Sequence, residues 1–587
     1  MESINEQLSK LDKWVSEHNP GKELLSELVV LKEKVQSADI NTKHAALEEI
    51  NDRFYKDLEF GTSGIRGIMG AGSNRLNVHT VINATKGVAK YINANYENPS
   101  AAIGYDSRHN SELFAKTTAE EFLAHGIDVF LYDTLMPVPA LSFAIRYHQC
   151  TVGVMITASH NYYTYNGYKV YDEHGCQITD NVTSEILKNM TDVAEQMQQS
   201  EAMQQIETDQ QRESSVNQSY RNNAKLTYMG EETKNAFYEA VLAQKIAYDS
   251  ELAMQEDLAN LSIVFTPLNG TGNIPTREVL NKIGAKSIHV VKEQELPDGN
   301  FPTCPHPNPA KKEALEKGLE LLKKVNADLL VATDPDCDRV VIAENANEQE
   351  YTFSGDETGI LLFDFICNIK SKTNVMPKTP VAARTFVSSK MFDAIAKEHG
   401  IDVKVTPTGF KYIGEFITEL EAQERASDYI FGFEETNGYL YGTHTRDKDA
   451  VSSAMLICQM AAYYKKQGKT LIGRLAELYE KYGYFLEKQL EFTFEGEKGA
   501  QKMAKIMQAF KESSISGVAD NEGEAMPLEV ANVIELAFEN AGRVVIRPSG
   551  TEPTLKIYLS AKGNSRENVS LELEKMAASI TSKIKQF

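Results

Sequence analysis

Residues 101–132 read AAIGYDSRHNSELFAKTTAEEFLAHGIDVFLY. Ala101–Tyr105 and Asp128–Tyr132 are short apolar, β-prone runs. Between them Glu112–His125 has helical character and stops at Gly126, so the stretch predicts strand, helix, strand. The same alternation continues outward from about 56 to 195, where Thr151-Val152-Gly153-Val154-Met155-Ile156 is a further buried-strand candidate. A second stretch, about 221 to 345, carries strands Ile263–Phe265 and Asp328–Ala332. A third begins near Asn347 and includes Val381–Ala383 and Tyr429–Gly432. The last, from about 485, has strands Arg543–Ile546 and Leu555–Leu559 and a helix over about 566–585. Repeated strand–helix alternation predicts an α/β protein: three α/β domains with mixed sheets and a smaller C-terminal α+β domain.

The 587 residues exceed one hydrophobic core; at about 150 residues per domain, about four domains are expected. Leu24, Leu25, Leu28, Val29, Leu31 and Val35 recur at helical spacing, so residues 1–55 read as a helical N-terminal extension. Residues 196–220, rich in Gln, Glu and Ser, read as a linker or surface insertion. The expected division is 1–55, 56–215, 216–345, 346–480 and 481–587. A net charge of −22 disfavours nucleic acid and anionic lipid as partners. A phosphorylated ligand would therefore need locally placed Arg and Lys. No apolar run reaches the roughly 18 residues of a membrane span. The acidic, polar start Met1-Glu2-Ser3-Ile4 lacks the pattern of a signal peptide. The six scattered cysteines form no C-x-x-C pair, so free thiols and a cytoplasmic location are expected.

Five loops carry the chemistry. Thr157-Ala158-Ser159-His160-Asn161 ends a buried strand and presents a hydroxyl. No G-x-S-x-G elbow surrounds it. Ser159 and His160, as neighbours on extended backbone, are expected to point apart rather than form a triad. Lys169, ten residues on, becomes a proton carrier or phosphate ligand if the loop folds back. In Asp334-Pro335-Asp336-Cys337-Asp338-Arg339, three alternating carboxylates repel one another unless a cation sits among them, and all-oxygen ligation suits Mg²⁺. An EF-hand fails because its Gly and Glu positions hold Arg339 and Asn345. A D-x-D-x-T phosphatase loop is weakened by Asp338 in place of Thr. Arg339 supplies a fixed cation beside the metal. Arg547-Pro548-Ser549-Gly550-Thr551-Glu552-Pro553 lies between two strands and has the donors of an anion nest. Phe60–Gly67 packs glycines and hydroxyls around Arg66, and Gly432–Tyr439 offers Glu434, Glu435 and Thr436 to sugar hydroxyls.

In type and order these five loops resemble those of the α-D-phosphohexomutase family over residues from about 55 to 570. The form Gly-Phe-Glu-Glu-Thr-Asn-Gly-Tyr and the long N-terminal segment look most like its larger bacterial phosphoglucomutase branch. The resemblance implies four domains around a central active-site cleft and exchange of phosphate between the 1- and 6-positions of glucose. It implies Ser159 as the phosphoserine, and Mg²⁺, one per chain, on Asp334, Asp336, Asp338 and a phosphoserine oxygen. Glu434 and Thr436 would bind sugar hydroxyls, with Thr408 and Gly409 in a further sugar-contact loop. Arg547, Ser549, Gly550 and Thr551 would grip the phosphate not being transferred. Thr62, Ser63 and Arg66 would line the catalytic floor, with His160 and Lys169 near the transferred proton and Lys448 at an acid/base position. Glucose 1,6-bisphosphate is implied as intermediate and activator, a small sugar phosphate as partner, and a monomer or homodimer as assembly.

Two departures stand out. Pro335 and Cys337 replace small residues common in the metal loop. Gly438 falls where dual-specificity relatives have a histidine, which disfavours mannose and shifts proton transfer toward Lys169 or Lys448. The competing readings are a phosphopentomutase or phosphomannomutase of the same family, a metal-dependent sugar phosphatase with Asp334 as nucleophile, and a non-catalytic sugar-phosphate sensor.

Overall fold

The structure is a computed structural model that describes residues 2–16, 21–58, 60–61, 64–191, 224–346, 349–494, 496–512, 533–538, 542–549 and 554–587. The expected linker at 196–220 lies outside the described residues. The chain divides into two units, Met1–Lys234 and Asn235–Phe587.

The first unit opens with three amphipathic helices, Glu2–Ser16, Lys22–Val35 and Ile40–Phe54. The last begins at Asp39, whose carboxylate accepts from the backbone N–H groups of Asn41 and Thr42. Their apolar faces meet around Leu11, Trp14, Leu28, Ile50 and Phe54, and Ala71 closes the cluster. Arginines fasten the bundle to the chain that follows. Arg53 donates to the Ala71 carbonyl (2.8 Å), and the buried Arg75 pairs with Asp52 (2.7 Å). The N-terminal helices thus have an apolar cluster of their own, docked onto the chain that follows through Ala71, Arg53 and Arg75.

Beyond them lies a six-stranded sheet, ordered Gly64–Ile68, Tyr165–Tyr171, Val152–Ile156, Ser100–Tyr105, Asp128–Tyr132, Leu226–Met229. The last four are mutually parallel, while Tyr165–Tyr171 runs antiparallel to both neighbours. Every residue of Val152–Ile156 is buried, as its unbroken apolar run requires for a strand covered on both faces. Leu226–Met229 pairs with Asp128–Tyr132. That pairing puts it with the first sheet, beyond the boundary expected at 215/216: a parallel edge strand has to return from a distant point in sequence.

The described residues of the second unit hold three sheets. The first is ordered Gln349–Thr352, Val340–Ala346, Leu329–Thr333, Ser262–Thr266, Ser287–Val290; the second Asp402–Thr406, Val381–Thr385, Tyr429–Glu434, Gly438–Leu440. Both mix parallel and antiparallel pairs. Gln349–Thr352 completes the first of them, past the boundary expected at 345/346. Helix Ala450–Lys466, buried along most of its length, packs against helices Asn273–Lys282 and Gly355–Lys372. The last sheet is antiparallel, ordered Tyr484–Thr493, Thr554–Gly563, Gly542–Pro548, Ile534–Phe538, and helix Arg566–Lys585 covers it. These three mixed sheets and one antiparallel α+β sheet are the expected fold class. No helix among the described residues is long and apolar enough to cross a membrane. All six cysteines are buried, and none forms a disulfide.

Trp14, the chain's single tryptophan, lies edge-on to Phe54 and His79. Its emission therefore reports the seating of the N-terminal bundle. Phe54→Ala is expected to cost about 3–5 kcal/mol and to red-shift that emission. Unchanged emission and melting temperature would show that Phe54 does not hold the N-terminal bundle around Trp14.

Candidate active site

In the first unit the strand Val152–Ile156 delivers its chain into a tight loop. Ser159 sits there at φ 52°, in the left-handed region that a residue with a Cβ seldom occupies. Both sides of its backbone are held. Its N–H donates to the Thr157 hydroxyl (2.8 Å), and its carbonyl accepts from Arg108 (2.7 Å). A left-handed residue breaks the extended geometry, so the expectation that Ser159 and His160 point apart is corrected: Ser159 Oγ lies 3.1 Å from His160 Nδ1. Both side chains are buried. Arg66, on strand Gly64–Ile68, donates to the Asn161 side-chain oxygen (3.0 Å). The chain does fold back after the serine loop, and Lys169 pairs in register with Met155 on one side and Gly64 on the other. Gly167 lies where a Cβ would run into the Thr157 and Ile65 carbonyls, so that return needs glycine. Thr62 and Ser63 lie outside the described residues.

In the second unit strand Leu329–Thr333 is buried throughout and ends at Asp334. Asp334 Oδ1 accepts from the backbone N–H groups of Asp338 (3.1 Å) and Arg339 (3.0 Å), and Cys337 N–H returns to the Asp334 carbonyl (2.9 Å). This turn needs a left-handed residue, and Cys337 takes the position at φ 52°, where a glycine would be unstrained. Asp334, Asp336 and Asp338 are at most 1% exposed, and one oxygen from each lies within 4.8 Å of the others. Burial, and then the charges of Asp336 and Asp338, push the Asp334 carboxyl well above the usual carboxylate range. Three hard oxygen donors converging in a buried pocket fit a small divalent cation such as Mg²⁺. Arg339 reaches Asp338 at 3.6 Å.

Two further loops meet the aspartate loop. Lys448 Nζ lies 3.0 Å from Asp338 and 3.4 Å from Asp447. Burial opposes the lysine's charge, but Asp338, Asp447 and Glu434 outweigh it and hold the ammonium above the usual lysine range. Gly438 makes room for this arrangement, since a Cβ there would strike the Lys448 side chain. The Gly432–Tyr439 loop is tied in by Val340 N–H to the Asn437 carbonyl (3.1 Å), and the chain after Lys448 by Ala450 N–H to the Cys337 carbonyl (3.3 Å). Glu434 is buried at the end of strand Tyr429–Glu434, and Thr436 is half-buried just after it. Glu435 accepts from Thr385 Oγ1 (2.7 Å), and burial, then Glu434, push its carboxyl up to about 7. Thr408 is buried before Gly409, whose φ of 112° turns the chain into helix Lys411–Ala422. Arg547 is the penultimate residue of strand Gly542–Pro548; burial and then the charge of Glu435 push the Tyr558 hydroxyl up, and Arg547 acts against them. Ser549 N–H closes that hairpin onto the Thr554 carbonyl (2.8 Å). Gly550 and Thr551 lie outside the described residues.

Arg108 and Asp106 are functional candidates that reading the loops one by one missed. Arg108 donates to the carbonyls of Ser159 (2.7 Å), Asn161 (2.6 Å), Tyr162 (2.9 Å) and Tyr165 (2.9 Å). The signal available in sequence was Asp106-Ser107-Arg108, placed directly after a predicted parallel strand. Carboxyl ends of adjacent parallel strands gather the site of an α/β sheet. Strand Ser100–Tyr105 is the neighbour of Val152–Ile156.

Residues 57–197, 236–347 and 354–482 match the models of phosphoglucomutase/phosphomannomutase alpha/beta/alpha domains I, II and III, and residues 493–578 match that of the C-terminal domain. The chain is 33% identical over 542 residues to a phosphoglucomutase of Staphylococcus haemolyticus (strain JCSC1435), spanning 89% of this chain and 93% of that one. With a phosphoglucomutase of Staphylococcus aureus (strain MRSA252) the identity is 32% over 548 residues, 90% and 94% of the two chains. Two solved structures share the fold. A phosphoglucomutase/phosphomannomutase family protein from Burkholderia thailandensis superposes with a TM-score of 0.64 at 15% identity, covering 89% of this chain and 97% of that one. The open form of pp63/parafusin from Paramecium gives 0.63 at 17%, covering 90% and 96%. With four domain models matched in order and about a third of its residues shared along nine-tenths of its length, the chain belongs to the phosphoglucomutase/phosphomannomutase family.

Proposed function

We propose that this protein is a phosphoglucomutase that interconverts glucose 1-phosphate and glucose 6-phosphate through phosphorylated Ser159, with glucose 1,6-bisphosphate as intermediate and activator. The observation that carries the reading is the buried triad Asp334, Asp336 and Asp338, whose donor atoms converge on one position. Similarity to the staphylococcal phosphoglucomutases supports the choice of sugar. We place the enzyme in the cytoplasm, as a monomer or homodimer. The proposed division keeps the segments read from sequence, with Leu226–Met229 moved to the first α/β domain and Gln349–Thr352 to the second.

In the forward half-reaction the Ser159 Oγ–P bond breaks and a bond forms from phosphorus to the 6-hydroxyl of glucose 1-phosphate. The net transfer of a proton from that hydroxyl to the serine oxygen completes the step, and His160 Nδ1, next to the serine oxygen, is assigned its delivery to that oxygen in place of the expected Lys448, which Asp338 and Asp447 hold as an ammonium. The bisphosphate then reorients, and its 1-phosphate returns to Ser159 by the same steps reversed. Mg²⁺ on Asp334, Asp336, Asp338 and a phosphoserine oxygen would neutralise the phosphoryl oxygens and stabilise the serine alkoxide. Arg66, Lys169 and Arg339 supply fixed positive charge to the transferring group, with Thr62 and Ser63 on the floor beside it. Glu434, Thr436, Thr408 and Gly409 orient the sugar. Arg547, Ser549, Gly550 and Thr551 hold the phosphate that stays. Lys448 is assigned a charge-neutralising place beside Asp338, and Gly438 is what lets it lie there. Exclusion of water around the phosphoserine favours transfer over hydrolysis.

With Mg²⁺ and a trace of glucose 1,6-bisphosphate, kcat/KM for glucose 1-phosphate is expected to exceed those for mannose, glucosamine and ribose 1-phosphates by at least about tenfold. A ribose preference would replace the sugar assignment and leave the mechanism standing. Ser159→Ala is expected to lower kcat at least about 1,000-fold. Full turnover in that variant with release of inorganic phosphate would favour the phosphatase reading instead. Gly438→Ala drives a methyl group into Lys448 and is expected to reduce kcat about tenfold or more with little change in melting temperature. Wild-type kinetics there would remove Lys448 from the site.

A further inference from the structure

We propose that Arg108, held by Asp106, is the positioning residue of the phosphoryl-carrying loop: one guanidinium sets the direction of Ser159 Oγ by gathering the carbonyls around it. The proposal rests on the reading of Ser159 as the phosphoryl carrier and extends it to residues outside the motifs that define that reading.

The Arg108 side chain is fully buried, as is that of Asp106. Nη2 donates to the carbonyls of Ser159 and Asn161, and Nη1 to those of Tyr162 and Tyr165. Arg108 Nε faces Asp106 Oδ2 at 3.4 Å. Asp106 Oδ1 accepts from the Arg108 backbone N–H (2.9 Å) and from Ser111 Oγ (2.6 Å). Ser111 Oγ in turn accepts from Asn166 Nδ2 (2.9 Å), and Asn166 Oδ1 accepts from Gly167 N–H (2.7 Å). Asp106 N–H reaches back to the Ile156 carbonyl (3.1 Å) at the end of the strand that carries the serine loop. Arg108 is thus seated from the far end of that loop as well as the near one.

A planar fork with donors in fixed directions satisfies carbonyls converging from several sides; a lysine ammonium, with three donors on a flexible stem, does not. The strained φ at Ser159 makes this matter. A left-handed residue bearing a Cβ persists only where its surroundings over-determine it. Thr157 Oγ1 holds the N–H of Ser159 and Arg108 holds its carbonyl. Release of the carbonyl side lets the peptide rotate, and Oγ turns away from His160. A displacement of about 1 Å at a reacting atom costs about 100-fold in rate. Because Arg108 binds loop carbonyls, its loss acts on kcat, while the groups assigned to bind the sugar and distal phosphate stay intact.

The test compares wild type, Arg108→Lys and Asp106→Asn, each with Mg²⁺. Three quantities are read: steady-state kcat and KM for glucose 1-phosphate, the rate at which labelled glucose 1,6-bisphosphate phosphorylates Ser159, and phosphate released per turnover. Arg108→Lys is expected to keep KM within about twofold, to lose about 100-fold in both kcat and Ser159 phosphorylation rate, and to release more phosphate per turnover. Asp106→Asn, which keeps the shape and loses the charge seating Arg108, is expected to show a smaller loss of the same kind. A kcat within threefold of wild type in Arg108→Lys overturns the proposal. So does a loss that disappears at a lower temperature, where the variant is fully folded, because that marks a stability effect alone. If wild-type Ser159 is itself never phosphorylated, the phosphomutase reading fails and the clamp fails with it. If wild type is labelled and both variants label at its rate, only the clamp fails.

Discussion

Mutual repulsion among Asp334, Asp336 and Asp338 is the constraint on which the rest of the second unit turns. Three carboxylates at the end of one buried strand cannot all ionise in a poorly solvated pocket unless positive charge is supplied. The protein supplies some of it through Arg339 and Lys448. Glu434 and Asp447 add negative charge to the same neighbourhood. The donor set is left suited to a divalent cation, and two segments are tied down beside it: the Asn437 carbonyl accepts from the N–H of Val340, just after the aspartate loop, and Ala450 N–H donates to the Cys337 carbonyl within it.

The first unit solves a different problem with a similar device. A hydroxyl that is to carry a phosphoryl group must be aimed, and Ser159, proposed for that role, sits in a left-handed backbone, as Cys337 does to close the aspartate turn. In both loops the chain accepts a strained residue and pins it with neighbouring hydrogen bonds. Ser159 is pinned by side chains, Thr157 and Arg108, whereas Cys337 is pinned by its own N–H on Asp334. A pinned serine and a converging carboxylate set are complementary equipment for phosphoryl transfer, where positioning and charge neutralisation carry the rate.

Much of this was legible in sequence for stated reasons. Val152–Ile156 and Leu329–Thr333 are unbroken apolar runs, so buried strands ending at Ser159 and Asp334 could be read off directly. The alternating Asp residues announced a cation by repulsion alone. Other features were hidden because they live in backbone conformation or long-range contact. Nothing local marks Ser159 or Cys337 as left-handed, so sequence alone predicts Ser159 and His160 pointing apart. Arg108 reaches its four carbonyls from more than fifty positions away. Leu226–Met229 joins its sheet only by returning as a distant edge strand. The fit of Lys448 against Gly438 depends on a missing Cβ that the sequence shows only as a glycine.

The account is tested most directly by following one phosphoryl group. Enzyme carrying radiolabelled phosphate on Ser159 is mixed with unlabelled glucose 1-phosphate and Mg²⁺ for a single turnover. The account predicts that the label appears on the 6-position of glucose 6-phosphate and that Ser159 is left carrying unlabelled phosphate from the substrate. Label recovered as inorganic phosphate, or retained on the protein while glucose 6-phosphate forms, would contradict it.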